Sequence, residues 1–324
     1  MKKLLITGIS GLIGKAVLIK ILAQELPYEI TALVRPNTDY ERFGEFQEKS
    51  ETVPLDLADT KDLKEFLDNR SFDTILHIGA LRGGRKFPKE VYYRANVMAT
   101  EQFVEYCLNN NCELLFCSSV GVFGAIPDEL PANNETERNP DNYYHYTKIQ
   151  SERIINKAVL QGLRAAILRP SITYGRGDYG FPWQLVKMVD KRIFPMINKR
   201  TWIHLCDIET ISDAFIWLLC NDYPNAISLN VADREPVQLA DLVNFISRQL
   251  RNKNYIQWMY FDRKLFAIGE YLAKFVKNEL WTSRFELISK SWIYDVRETY
   301  QLMGLKERFT IPGIQSIIKA YREE

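Results

Sequence analysis

The sequence predicts an α/β protein built on a doubly wound parallel sheet, with a smaller, mostly helical C-terminal lobe. Three observations predict it. A glycine-rich turn joins the first apolar run to the first amphipathic stretch, strands alternate with helices through the first half, and that rhythm loosens after Arg169. Strands that alternate with helices pair in parallel through right-handed crossovers. Such a sheet takes its ligand in the crevice beyond the carboxyl ends of its strands.

Each element has its own signal. Residues 3–7 are a buried-strand run, and residues 12–26 are amphipathic at helical spacing. Strands follow at 29–34 and 52–55, then a short helix at 59–67 with Leu63, Phe66 and Leu67 on one side. A fourth strand is predicted at 74–78, a long helix at 91–109, a fifth strand at 113–117, a helix at 142–160 and a strand at 164–168. Beyond Arg169 come a glycine-rich loop at 175–180, a strand at 227–231 and a helix at 239–250. Residues 252–279 are rich in aromatics and lysines at helical spacing, and no internal repeat interrupts the chain. Residues 1–169 are read as the sheet domain and 170–324 as a lobe that interleaves with it and closes over its crevice.

Composition narrows the function. The 324 residues are 46% hydrophobic and 26% charged, with a formal net charge of +1. That balance gives no reason to expect nucleic acid or an anionic membrane as partner. No apolar run approaches the roughly 20 residues of a membrane span. The run Leu4-Leu5-Ile6 is too short for a secretory h-region. A cytoplasmic protein with a small-molecule substrate is expected. The five cysteines, Cys107, Cys112, Cys117, Cys206 and Cys220, form no CxxC pair, and there are three histidines. Neither a disulfide framework nor a metal site is indicated; buried, reduced thiols are expected. Redox chemistry would come from an organic cofactor.

The strongest local feature is Thr7-Gly8-Ile9-Ser10-Gly11-Leu12-Ile13-Gly14, between first strand and first helix. Gly8 allows the tight turn, Gly11 clears the approach of a pyrophosphate, and Gly14 lets the helix pack close to the sheet. The helix start offers free N–H groups and a positive dipole end. A second constellation is Tyr144-His145-Tyr146-Thr147-Lys148, with Ser119 twenty-five positions before Tyr144. Positions four apart share a helix face, so Lys148 is expected near the Tyr144 hydroxyl, lowering its pKa from about 10 toward neutrality. Tyr143 and Tyr146 have no lysine four residues on.

The spacing TGxxGxxG, with the Ser, Tyr and Lys positions, resembles the extended branch of the short-chain dehydrogenase/reductase superfamily, the NAD-dependent epimerase/dehydratase family. The resemblance implies a Rossmann-type fold and NAD(P)-dependent hydride transfer. Tyr144 would be the general acid/base, and Lys148 would also bond the nicotinamide ribose. In Ser118-Ser119-Val120-Gly121-Val122-Phe123-Gly124, similar to the family's SSxxVYG, Ser119 would polarise the substrate oxygen. Asn96 would support the site from the long helix, with a solvated polar position as the alternative. Asp56 and Leu57 after the third strand, and Ala80 in the HxAA-like His77-Ile78-Gly79-Ala80, would touch the cofactor. A helix N-cap is the alternative for Asp56. Pro170, in the LRPxxxYG-like Leu168 to Gly175, would border nicotinamide and substrate. Many relatives dimerise, so a homodimer is expected.

Cofactor and substrate class follow from departures. NAD specificity needs an acid at the end of the second strand, where this chain has Val34 followed by Arg35. A guanidinium suits a 2′-phosphate, so NADP(H) is preferred and NAD possible; an ordinary exposed arginine is the alternative. Ile172 stands where nucleotide-sugar enzymes of the family commonly have an asparagine. Leu280 to Ser291, Tyr294-Asp295 and Leu302 to Leu305 resemble the tail of 3β-hydroxysteroid-dehydrogenase-like and dihydroflavonol-reductase-like members. Trp258, Tyr260, Phe261, Leu265, Phe266 and Tyr271 would line an apolar cavity or pack as an ordinary amphipathic helix. The expected activity is alcohol/ketone oxidoreduction on a hydrophobic substrate. The alternatives are a nucleotide-sugar epimerase or dehydratase and a non-catalytic NADP sensor.

Overall fold

The structure, a computed structural model, describes residues 1–38, 49–83, 87–197, 200–261, 268, 271 and 285–324. The chain forms two compact units, each built from three segments. One unit comprises Met1–Val122, Pro140–Arg169 and Ile211–Leu229; the other comprises Phe123–Asn139, Pro170–Thr210 and Asn230–Glu324.

The first unit carries the sheet. Its strands are β1 (Lys2–Thr7), β2 (Tyr28–Val34), β3 (Glu51–Pro54), β4 (Thr74–His77), β5 (Glu113–Cys117) and β6 (Ala165–Pro170). With Ile227–Val231 on the outer side of β6, the order is Ile227–Val231, β6, β5, β4, β1, β2, β3. Every pairing among β1 to β6 is parallel. The order reverses between β1 and β4, where Thr7 stands opposite His77. That reversal is the switch point at which an open α/β sheet binds ligand. The inner strands are buried on both faces, as continuous apolar runs in parallel sheets require: β6 is buried along its whole length, and β1 from Leu4 on, while the edge strand β3 is half-buried at most.

The helices are α1 (Leu12–Ala23), α2 (Thr60–Asp68), α3 (Lys89–Tyr93), α4 (Ala99–Asn110) and α5 (Tyr143–Val159). Helix α1 ends earlier than its apolar pattern predicts. Glu25 takes a left-handed φ of 49°, and Pro27 has no N–H to continue the ladder. The long helix predicted at 91–109 is interrupted. A π-helical turn, Arg94–Met98, joins α3 to α4 and puts Asn96 inside. Phe103, Phe116, Ile155 and Ile167 meet Leu5 and Leu114 in one core, gluing α4 and α5 to the sheet. Each such side chain contributes roughly 1.5–3 kcal/mol on burial.

In the second unit, helices Phe181–Asp190, Leu239–Arg251 and Thr310–Glu323 pack pairwise. Two-residue strands pair around them, as Thr173–Tyr174 does with Cys206–Asp207. Its buried polar centre is Asp233, which accepts from the Tyr174 hydroxyl (2.8 Å), the Thr310 hydroxyl (2.5 Å) and the Asp207 amide (2.8 Å). Burial pushes its carboxyl up to about 7.

Several expectations change here. Trp258 and Tyr271 are 71% and 70% exposed, so neither lines a cavity, while Leu265, Phe266 and Leu280 to Arg284 lie outside the described residues. Cys107, Cys112, Cys117 and Cys206 are buried, but Cys220 is exposed at the end of helix Ile208–Cys220. Among the described residues, no helix is long and apolar enough to cross a membrane.

Candidate active site

The glycine turn lies at the switch point. Gly8 has a φ of 81°, and a Cβ there would stand 2.6 Å from the amide nitrogen of Gly79, so β1 and the turn after β4 touch backbone to backbone. A Cβ on Gly14 would meet the Gly8 carbonyl oxygen at 2.2 Å. Packing within the protein therefore requires both glycines. Gly11 differs. It is exposed, and its Cβ would meet only Gly8 O, at 3.3 Å. That open side would admit a dinucleotide pyrophosphate. Gly11 is also the N-cap of α1 and offers no side-chain cap, leaving the first helical N–H groups open to an anion. Ser10 is exposed; Leu12 and Ile13 are half-buried in the first turn.

This division predicts two outcomes. Gly14→Ala should destabilise the sheet unit by about 1–3 kcal/mol, because backbone cannot yield to the new methyl. Gly11→Ala should cost less, about 0.5–1 kcal/mol for the lost N-cap glycine, yet weaken dinucleotide affinity. Urea unfolding and calorimetric titration of each variant check this; equal stability losses would remove the distinction.

The neighbouring turns complete the cradle. The Thr7 hydroxyl accepts from the Gly79 amide (2.9 Å) and bonds Nδ1 of His77 (2.8 Å). Burial, with Lys148 nearby, keeps His77 neutral, its pKa well below the ordinary value. Leu57 is half-buried, and a Cβ on Gly79 would touch its Cδ1 at 3.0 Å. Asp56 is exposed, and its Oδ1 accepts from the Ala58 amide (2.9 Å). Asp59 caps α2 instead, which removes the N-cap alternative for Asp56. Ala80 is half-buried beside this turn, Arg35 is exposed directly after β2, and Pro170 is the buried last residue of β6.

The second constellation gathers around the carboxyl end of β5. Helix α5 starts at an Asn142 cap whose Oδ1 accepts from the His145 amide (2.9 Å). Tyr144, the second residue of the helix, is half-buried, and Lys148, one turn further on, is buried. The Lys148 ammonium donates to the Cys117 carbonyl (2.6 Å) and lies 4.5 Å from the Phe116 ring centroid. Ser119 is half-buried two residues on, and its hydroxyl oxygen accepts from the Gly121 amide (3.1 Å). Ser118 is buried and donates to Glu152 (2.6 Å), so the adjacent serine is already engaged elsewhere. A Cβ on Gly83 would lie 3.7 Å from Cβ of Tyr144, which sets the turn after β4 against the tyrosine.

One electrostatic expectation is corrected. Lys148 does not lower Tyr144. Burial raises the phenol above its ordinary range, the Cys117 thiol adds to that, and the opposing charge is Arg82. Helical spacing puts Lys148 on the right face, but its ammonium is bonded to the Cys117 carbonyl. Burial in turn lowers Lys148 to about 8. Among the described residues no hydrogen bond joins Ser119, Tyr144 and Lys148 to one another.

Asn96 is buried, which removes the solvated alternative. Its Oδ1 accepts from the Leu81 amide (2.8 Å), and its Nδ2 donates to the Leu81 carbonyl (3.0 Å) and the Thr147 hydroxyl (2.9 Å). It ties the turn after β4 to α5. The π turn also frees its carbonyl to accept from Thr100 (2.6 Å) and Ser151 (3.0 Å), a local geometry common at functional sites. Sequence reasoning missed Glu152 and Arg169, an ion pair almost without exposure. The signal was present, since Glu152 follows Lys148 by one helical turn.

Comparisons with known proteins bear on the family and the fold. UDP-glucose 4-epimerase 2 of Arabidopsis thaliana is 28% identical over 166 residues, 47% of this chain and 46% of that protein. The 3beta-hydroxysteroid dehydrogenase/Delta(5)-Delta(4) isomerase 1 of Caenorhabditis elegans is 25% identical over 189 residues, 51% of this chain and 38% of that one. The chain thus spans less than half the length of either relative. The UDP-glucuronic acid 4-epimerase of Bacillus cereus, solved in complex with NAD, shares the fold, with a TM-score of 0.73 and 16% identity over 98% of this chain and 99% of that one. The model of the NAD dependent epimerase/dehydratase family matches residues 4–229, and with turn, sheet order and helix α5 in place the chain belongs to that family.

Proposed function

We propose that the protein is a nicotinamide-dependent enzyme that interconverts an alcohol and a ketone at a hydroxyl-bearing carbon, with Ser119, Tyr144 and Lys148 as its working groups. The observation that supports this reading is the bond from Lys148 to the Cys117 carbonyl, two residues before Ser119, on the face of α5 that Tyr144 shares by its spacing. A bound nicotinamide supplies the hydride acceptor or donor. Tyr144 holds the proton at the substrate oxygen, giving it as a carbonyl becomes an alcohol and taking it in reverse. A phenol kept protonated by burial suits the donating direction. Ser119 orients the oxygen with its hydroxyl. Lys148 at about 8 is mostly ammonium at neutral pH and favours negative charge on that oxygen. Activity is therefore expected to fall as pH rises past about 8.

Arg35 favours NADP(H) over NAD(H), because it is exposed directly after β2, at the strand end where an NAD site has its acid. Arg35→Asp should weaken NADPH binding by about tenfold or more and leave NADH binding nearly unchanged, measured by calorimetry; equal effects would contradict the preference.

A second reading, transient oxidation in a nucleotide-sugar epimerase or dehydratase, is favoured by the similarity to UDP-glucose 4-epimerase. Ile172 weighs against it, since an apolar, half-buried side chain offers a diphosphate no hydrogen bond. Absorbance at the nicotinamide band across ketones and nucleotide sugars separates the two. Net consumption of NADPH with a ketone supports oxidoreduction. Sugar conversion without net consumption supports the second reading.

A further inference from the structure

Beside the three working groups lies a buried charged cluster that the proposed chemistry leaves unused. Glu152 Oε1 accepts from the Ser118 hydroxyl (2.6 Å) and from Nε of Arg169 (2.7 Å), and Oε2 accepts from Nη2 of Arg169 (2.8 Å). The Arg169 and Glu152 side chains are 2% and 5% exposed. We propose that Glu152 is a positioning residue of this site. Clamped by Arg169, its carboxylate anchors Ser118, and with it the strand end that presents Ser119, and sets a negative charge one helical turn from Lys148. This rests on the reading of Ser119 and Lys148 given above.

Geometry carries the first half. Tyr144, Lys148 and Glu152 follow one another at intervals of four on α5, along one face. Lys148 grips the carbonyl of Cys117, and Glu152 grips the side chain of the next residue, Ser118. The Ser118 amide donates to Leu168 O on β6 (2.7 Å), and the residue after Leu168 is Arg169. Two turns of one helix thus hold Cys117, the last residue of β5, and Ser118, the residue after it, and Ser119 comes next. A two-pronged guanidinium holds the carboxylate in place as no single bond does.

The surroundings of Lys148 carry the second half. It faces His77 from β4, Cys117 from β5 and Glu152 from α5, while Arg169 of β6 is bonded to Glu152. His77 is held neutral, and burial pushes the Cys117 thiol up to about 11 and the Tyr144 phenol higher still. Near neutral pH the carboxylate of Glu152 is therefore the negative charge opposing the desolvation of Lys148, which burial alone would push further down.

The test reads Lys148 without any turnover. Protein carrying 13C-lysine is titrated by NMR, the Lys148 ε-carbon being the resonance missing in Lys148→Met. The midpoint should lie near 8, and Glu152→Gln should move it to lower pH by about one unit or more. An unmoved midpoint overturns the electrostatic half. If Glu152→Gln does not fold, Arg169→Gln, which strips the guanidinium from the carboxylate, is titrated instead; its midpoint should rise, and an unmoved midpoint overturns the same half. Ser118→Ala keeps the ion pair, so its midpoint should stay while kcat falls by about 10- to 100-fold. An unchanged kcat overturns the anchoring half. Failure of the hydride-transfer reading itself would appear elsewhere, as turnover surviving in Tyr144→Phe, and leaves the Lys148 titration unaffected.

Discussion

Tyr144→Phe is expected to lower turnover by about 10²–10⁴-fold, the usual contribution of a positioned acid/base group, while NADPH and NADH affinities barely change. The substitution removes one oxygen and no packing. Tyr144 is half-buried, no hydrogen bond of its hydroxyl holds the fold among the described residues, and its ring borders the turn after β4 near Gly83. Circular dichroism and cofactor titration should therefore match the parent protein. Tyr143 and Tyr146 are natural controls. They stack at 5.3 Å on the outer side of α5, and Tyr146→Phe should retain turnover. Full activity in Tyr144→Phe would remove the residue from its assigned part.

The second large effect is on stability. Arg169→Met should destabilise the sheet unit by about 3–5 kcal/mol, because it leaves Glu152 charged and without its guanidinium in a buried site. Glu152→Leu with Arg169→Met should recover much of the loss, since apolar groups of similar volume carry no desolvation penalty. By contrast, Arg297 pairs with Asp295 while 76% exposed, and its removal should leave stability nearly unchanged. Urea unfolding of the three variants measures this ordering. A wild-type midpoint for Arg169→Met would contradict it.

What was legible in the sequence was whatever depends on short-range pattern. The buried strands that alternate with helices were readable because parallel, doubly covered strands are apolar runs of characteristic length. The same holds for the glycine turn, whose Gly8 and Gly14 have only backbone for neighbours. Preferring Ser119 to Ser118 came from a motif, and the structure supplies a physical reason in the bond from Ser118 to Glu152. Tertiary placement was not legible. Helical spacing put Lys148 on the face of Tyr144, but nothing local reveals that its ammonium bonds the Cys117 carbonyl. Nor does local propensity predict a π turn at Asn96. Its partners, Leu81 and Thr147, lie 15 and 51 positions away. Helix α1 stopped short because its end is decided by Glu25 and Pro27, against an apolar pattern that runs on to Leu26.

The account stands on dinucleotide chemistry at the β1–β4 switch point. Calorimetric titration of the full chain with NADPH, and then with NADH, tests that most directly. Saturable binding at one site per chain, tighter for NADPH and weakened by Gly11→Ala, is the predicted result. Absence of binding by both nucleotides would contradict it.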